Sequence, residues 1–185
     1  MILPIYLYGH PVLRKVTQDI STDYPNLDTL IENMFETMYN ADGVGLAAPQ
    51  IGLEDRILVI DLDICKENDP TCEGFKKIFI NARITEQSEE EEIMEEGCLS
   101  IPNIHEKVYR PNRIRIQYLD ENMQPHDEVY EGYKARVIQH EYDHLEGAMF
   151  VDKISGIRKQ MIRSKLNKIM EGHTNCHYKV KRQPK

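Results

Sequence analysis

The sequence has no tryptophan and only four phenylalanines among 185 residues, so its apolar material is aliphatic side chains, eight methionines and ten tyrosines. No stretch approaches the roughly 20 apolar residues that a membrane-spanning helix needs, and no membrane partner is expected. The apolar start, residues 1–8, is short, broken by Pro4 and without a basic flank. That does not fit a signal peptide, and a cytoplasmic location is expected. The four cysteines, at 65, 72, 98 and 176, follow no framework spacing, which excludes a disulfide scaffold and leaves free thiols or metal ligands. Basic charge is scarce as well: 23 Lys and Arg stand against 31 Asp and Glu, a net charge of −8. DNA, which is bound through clustered cations, is a poor partner for such a chain.

What is present suffices for one core. At 41% hydrophobic and a length typical of one domain, residues 1–185 read as a single domain, expected to be monomeric. The charge is unevenly placed. Residues 153–185 carry ten Lys or Arg against one acid, Glu171, leaving 13 basic and 30 acidic residues in 1–152. Seven of those acids lie in residues 86–96, where a solvated loop or strand edge is expected for all but Glu96.

Hydrophobic spacing places Leu27, Leu30, Ile31, Met34, Phe35 and Met38 on one face of a helix over 26–40. Strands are expected over 56–62 and 77–84, joined by a polar excursion, 63–76, that reads as a tolerated surface insertion. The strict alternation at 113–118 predicts a half-buried strand, with 128–133 pairing to it across a turn. A helix over 134–145 should stop at Gly147. A basic helix over 154–170 shows Ile157, Met161, Ile162, Leu166, Ile169 and Met170 on one side. Strands flanked by segregated helices indicate an α+β fold.

The chemistry concentrates in Gln139-His140-Glu141-Tyr142-Asp143-His144. His-Glu-x-x-His on a helix puts two imidazoles on one face, where they can share a metal ion. Glu141, turned about 100° away, is free to act as general acid/base on an activated water. Apolar neighbours Val137, Ile138 and Leu145 argue that the helix is buried, and buried histidines need partners. Cys98, in Glu-Gly-Cys-Leu-Ser at 96–100, is the candidate third ligand. A thiolate holds a divalent metal firmly, and Gly97 permits an unusual backbone angle or a close approach. Three ligands leave one position open for water. Cys65 and Cys72 read as small buried residues. His173, Cys176 and His177 lie in a polar tail and read as surface residues.

These stretches, with Gly-Val-Gly-Leu-Ala-Ala-Pro-Gln at 43–50, resemble the three signatures of the peptide deformylase family, in order and over nearly the whole chain. The resemblance implies an α+β fold of small antiparallel sheets around a central His-Glu-x-x-His helix, with an N-terminal and a C-terminal helix. It implies hydrolysis of the N-formyl group from the initiator methionine of nascent polypeptides by a metal-activated water, with Glu141 as acid/base. The metal, usually Fe²⁺ in bacterial members and replaceable by Zn²⁺, Ni²⁺ or Co²⁺, would be held by Cys98, His140 and His144. The Gln50 side chain and the Leu99 N–H would stabilise the oxyanion. The Gly45 backbone would hold the peptide, and Val44, Tyr133 and Val137 would border the methionine pocket. Glu96, Arg110 and Gln139 would support the site from behind. His105 stands where many bacterial relatives carry arginine, which leaves a Glu96–arginine pairing open, with Arg110 available for it. The C-terminal helix of some relatives docks on the ribosome, and the basic 154–185 segment is expected to do so here. A zinc endopeptidase shares His-Glu-x-x-His but typically takes its third ligand downstream of the helix, whereas Cys98 lies upstream.

Overall fold

A computed structural model describes residues 1–183. Five strands form an antiparallel sheet, in the order β2 (Gly45–Ala47), β3 (Ile57–Asp61), β4 (Lys76–Gln87), β7 (Arg113–Leu119) and β8 (Pro125–Glu131). A separate antiparallel ribbon joins β5 (Glu91–Cys98) to β6 (Ile101–Pro111). The two chain ends meet as a short parallel pair, β1 (Ile5–Tyr6) with β9 (Val180–Lys181). Three α-helices complete the α+β fold: α1 (Leu27–Asn40), α2 (Gly132–Leu145) and α3 (Gly156–Met170). No helix among the described residues is long and apolar enough to cross a membrane.

The apolar run Ile57-Leu-Val-Ile60 is buried on both faces of the sheet, as its lack of alternation requires. Ile57 and Val59 pack with Ile31, Met34, Phe35 and Met38 of α1. Leu58 and Ile60 point the other way, into a core with Phe79, Ile116, Ala135 and Ile138, so α2 lies against the opposite face. Each such side chain contributes about 1.5–3 kcal/mol of burial. α1 starts one residue later than its apolar pattern suggests, because Asn26 adopts a left-handed conformation with φ 57°.

Three expectations need correction. Tyr133 opens α2 instead of closing β8, because Gly132, with φ 60°, turns the chain from strand to helix. The stripe of α3 is narrower than its sequence suggests: Ile162, Leu166 and Ile169 are buried, whereas Ile157 is 74% and Met161 63% exposed. The 63–76 excursion is more than a surface insertion. Cys72 and Phe75 are buried in the α2-side core with Cys65 packed beside them, and Asp63 caps its return by accepting the Gly74 N–H at 2.8 Å. The tail beyond α3 folds back along the surface to form β9, with His173 and His177 exposed, as expected, and Cys176 half-buried.

Candidate metal centre and active site

The β5–β6 ribbon reverses at Cys98, Leu99, Ser100 and Ile101, with Cys98 paired to Ile101. This turn brings Cys98 against α2. Donor atoms of Cys98, His140 and His144 all lie within 4.8 Å of one another, and Cys98 Sγ is 3.3 Å from His144 Nε2. His140 Nδ1 is 2.7 Å from Glu96 Oε1, which fixes the ring and leaves Nε2 for the site. The donor set fits a divalent cation: one soft thiolate and two imidazoles. Two buried polar atoms, Glu141 Oε2 and His144 Nδ1, have no hydrogen-bond partner among the described residues.

Burial dominates the electrostatics. It pushes the Glu141 carboxyl up to about 7, with Glu96 and Asp143 adding to the rise and His140 and Arg110 opposing it. Burial and the neighbouring His140 and Arg110 hold His144 well below the ordinary histidine value, in the neutral form a ligand needs. Burial opposes protonation of His140 too, but contacts with Cys98 and Glu96 outweigh it and raise that group. Glu96 is held well below the carboxylate range, since Arg110 and His140 overcome the cost of burial.

Glu96 is the hub of this arrangement. Arg110 donates to both of its oxygens at 2.7 and 2.8 Å, and Arg136 donates a third bond at 2.7 Å. Arg110 also bonds Asp143 at 2.8 Å, so Asp143 neither faces solvent freely nor holds an imidazole. Glu96, Arg110 and Arg136 are all buried, and buried charges are tolerable only when paired this fully. Gln139 lies mid-helix and donates to the Pro111 and Ala135 carbonyls at 2.8 and 3.0 Å. It ties α2 to the end of β6 and does not anchor the helix start.

The remaining candidates line one cavity of about 750 Å³: Val44, Gly45, Gln50, Leu99, Tyr133 and Val137. Gly45 lies on edge strand β2, and a Cβ there would fall 2.5 Å from Glu141 Oε1. Only glycine allows that approach. Gln50 is oriented by the Ala47 N–H, which its Oε1 accepts at 2.9 Å, and its Nε2 faces Cys98 Sγ at 3.5 Å and Ser100 Oγ at 3.3 Å. Gly97 does not take a left-handed angle; it makes room for the His105 ring, 2.7 Å from where a Cβ would stand. Sequence reasoning missed Arg136 and the tail residues Asn175, Cys176, His177 and Tyr178, which form part of the cavity wall, and Ser100, whose hydroxyl faces Gln50. Arg136 had a signal, since it lies one helical turn before His140 on the same face. The tail had none.

A cysteine and two histidines converging on one point, with a buried carboxyl and an edge strand beside them, have the donor set a hydrolytic metal site would need. Known proteins narrow the class. The profile of the family described as Polypeptide deformylase matches residues 2–160. A peptide deformylase from Flavobacterium psychrophilum is 53% identical, over 100% of this chain and 99% of the relative; one from Flavobacterium johnsoniae is 52% identical over 98% and 96%. Among solved structures, a peptide deformylase from Legionella pneumophila superposes with a TM-score of 0.81 at 37% identity, over 94% of this chain and 98% of that one. A Plasmodium falciparum peptide deformylase complex with inhibitor gives 0.79 at 36%, over 90% and 99%. The chain belongs to the polypeptide deformylase family.

Proposed function

We propose that the chain removes the formyl group from the N-terminal formyl-methionine of nascent polypeptides, using a divalent metal held by Cys98, His140 and His144. The observation that carries this reading is the unpartnered Glu141 carboxyl oxygen beside three convergent donors. A metal bound there supplies Lewis acidity, which makes a water nucleophilic near neutral pH and polarises the formyl carbonyl.

The protein supplies the rest. Glu141, with its carboxyl near 7, takes a proton from the attacking water and returns it to the methionine nitrogen as the C–N bond breaks. Formate leaves with the water oxygen, and the peptide leaves as a free amine. The Gln50 amide and the Leu99 N–H donate to the carbonyl oxygen as it gains charge. The peptide lies extended along edge strand β2 near Gly45, as an added strand would, and the methionine side chain enters between Val44, Tyr133 and Val137. Behind them, Glu96, Arg110 and Gln139 hold His140 and α2 in place.

The test is formate release from formyl-Met-Ala-Ser beside cleavage of the unformylated peptide. Formate without peptide cleavage is expected; peptide cleavage without formate would instead mean an endopeptidase. Fe²⁺ is the ion we propose. Metal analysis of anaerobically purified protein should find it, and peroxide should abolish activity by oxidising the iron and, through it, the cysteine ligand, whereas a Zn²⁺ or Ni²⁺ enzyme, with no redox-active ion, should survive. We also propose that the basic outer face of α3 contacts ribosomal RNA. Co-sedimentation with ribosomes that fades as salt rises supports this, and sedimentation indifferent to salt opposes it.

A further inference from the structure

The turn that carries Leu99 is gripped by segments from both ends of the chain. Its two central carbonyls each have one partner from a distant segment. The Tyr8 N–H donates to the Ser100 carbonyl at 2.8 Å. The Tyr178 hydroxyl donates to the Leu99 carbonyl at 2.7 Å. These two segments are joined to each other, since Ile5 N–H bonds Lys179 O and Leu7 N–H bonds Lys181 O, both at 2.9 Å. The same clip backs the other proposed oxyanion donor. The ring of Tyr6 packs against Gly52, whose Cβ would fall 2.4 Å from it, and Gly52 closes the short 3-10 turn that holds Gln50.

We propose that the paired chain ends position the Cys98–Leu99–Ser100 turn for the reaction, with Tyr178 as the positioning residue for Leu99, an inference that rests on the deformylase reading. Rotating the peptide that follows Leu99 would swing the N–H that precedes it, and a donor aimed at developing charge loses its effect when displaced by about 1 Å. Tyr178 is suited to the task. Its segment is anchored twice just before it: Asn103 Nδ2 donates to the Asn175 carbonyl at 2.9 Å, and His177 Nε2 lies 3.1 Å from the Asn40 carbonyl. All of these tail residues fall outside the 2–160 region that defines the family.

Tyr178→Phe in the full chain removes the hydroxyl and keeps the ring. With the Fe²⁺-loaded enzyme and formyl-Met-Ala-Ser, we expect kcat to fall about tenfold with KM within about twofold. In the metal-free protein we expect hydrogen exchange at the Leu99 and Ser100 amides to quicken about tenfold while amides in the middle of α2 stay unchanged. Tyr178→Ala should give the same pattern, enlarged. A kcat within about twofold of the parent, a loss confined to KM, or exchange that quickens equally in α2 would overturn the proposal. If the parent releases no formate, the deformylase reading fails by itself, and the exchange measurement alone then supports or overturns the grip on the turn.

Discussion

Helices α2 and α3 are nearly equal in length, 14 and 15 residues, yet they bury opposite kinds of side chain. α2 buries Arg136, Gln139, His140, Glu141 and His144 together with its apolar residues. α3 buries only Ile162, Leu166 and Ile169 and leaves its cations in solvent. Burying polar groups is costly unless each is satisfied, so a helix that does so is held there by something other than stability. In α2 that purpose is to present two imidazoles and a carboxyl at one point. α3 follows the ordinary rule of an apolar stripe on a core, and at its start the half-exposed Arg158 donates to both oxygens of the buried Glu106 at 2.8 Å.

The contrast breaks first at Glu141. Glu141→Gln keeps the shape of the site and removes the proton carrier, so kcat should fall by about 10³- to 10⁴-fold with metal content unchanged. Surviving turnover would mean that α2 buries that carboxyl for some other reason. Glu96→Ala comes next. It strands Arg110 and Arg136 in the interior and frees His140, and should cost about 3–5 kcal/mol of stability in urea unfolding, with weaker metal binding as well.

A pH titration of the metal-free protein sharpens the same point. The Glu141 carboxyl titrates near 7 in the fold against an ordinary 4.5. Between those values the unfolded chain releases the proton while the native state retains it, so native stability falls as pH rises, by as much as about 3 kcal/mol. Metal-free Glu141→Gln should therefore be more stable than the parent above pH 7 and no more stable below 4.5. On α3, Leu166→Ala should cost about 2–3 kcal/mol through its cavity and leave kcat unchanged. The smallest effect is expected of Arg163→Glu on its exposed face, within about 0.5 kcal/mol. A kcat lost on either α3 change would erase the distinction between the two helices.

The same division governs what could be read in advance. Helices α1 and α2 and strands β3, β4 and β7 were visible in spacing, because apolar side chains facing a core repeat with the period of the element. So were Cys98, His140, His144 and Glu141, since residue type and interval carry their chemistry. The β5–β6 ribbon was not visible. Its inward positions include Glu96, Glu106 and Arg110, and charges facing inward disguise the two-residue period. The excursion at 63–76 looked like surface until Cys72 and Phe75 were found in the core. The tail was hidden for a different reason. Tyr178 meets Leu99 across 79 residues, and neither residue carries a local pattern that announces the other.

The pairing of Ile5 with Val180 also imposes an order in time. A ribosome makes β1 well before β9, so the residues between them must leave the exit tunnel before this pair can close. The five-stranded sheet, complete by Glu131, can assemble earlier.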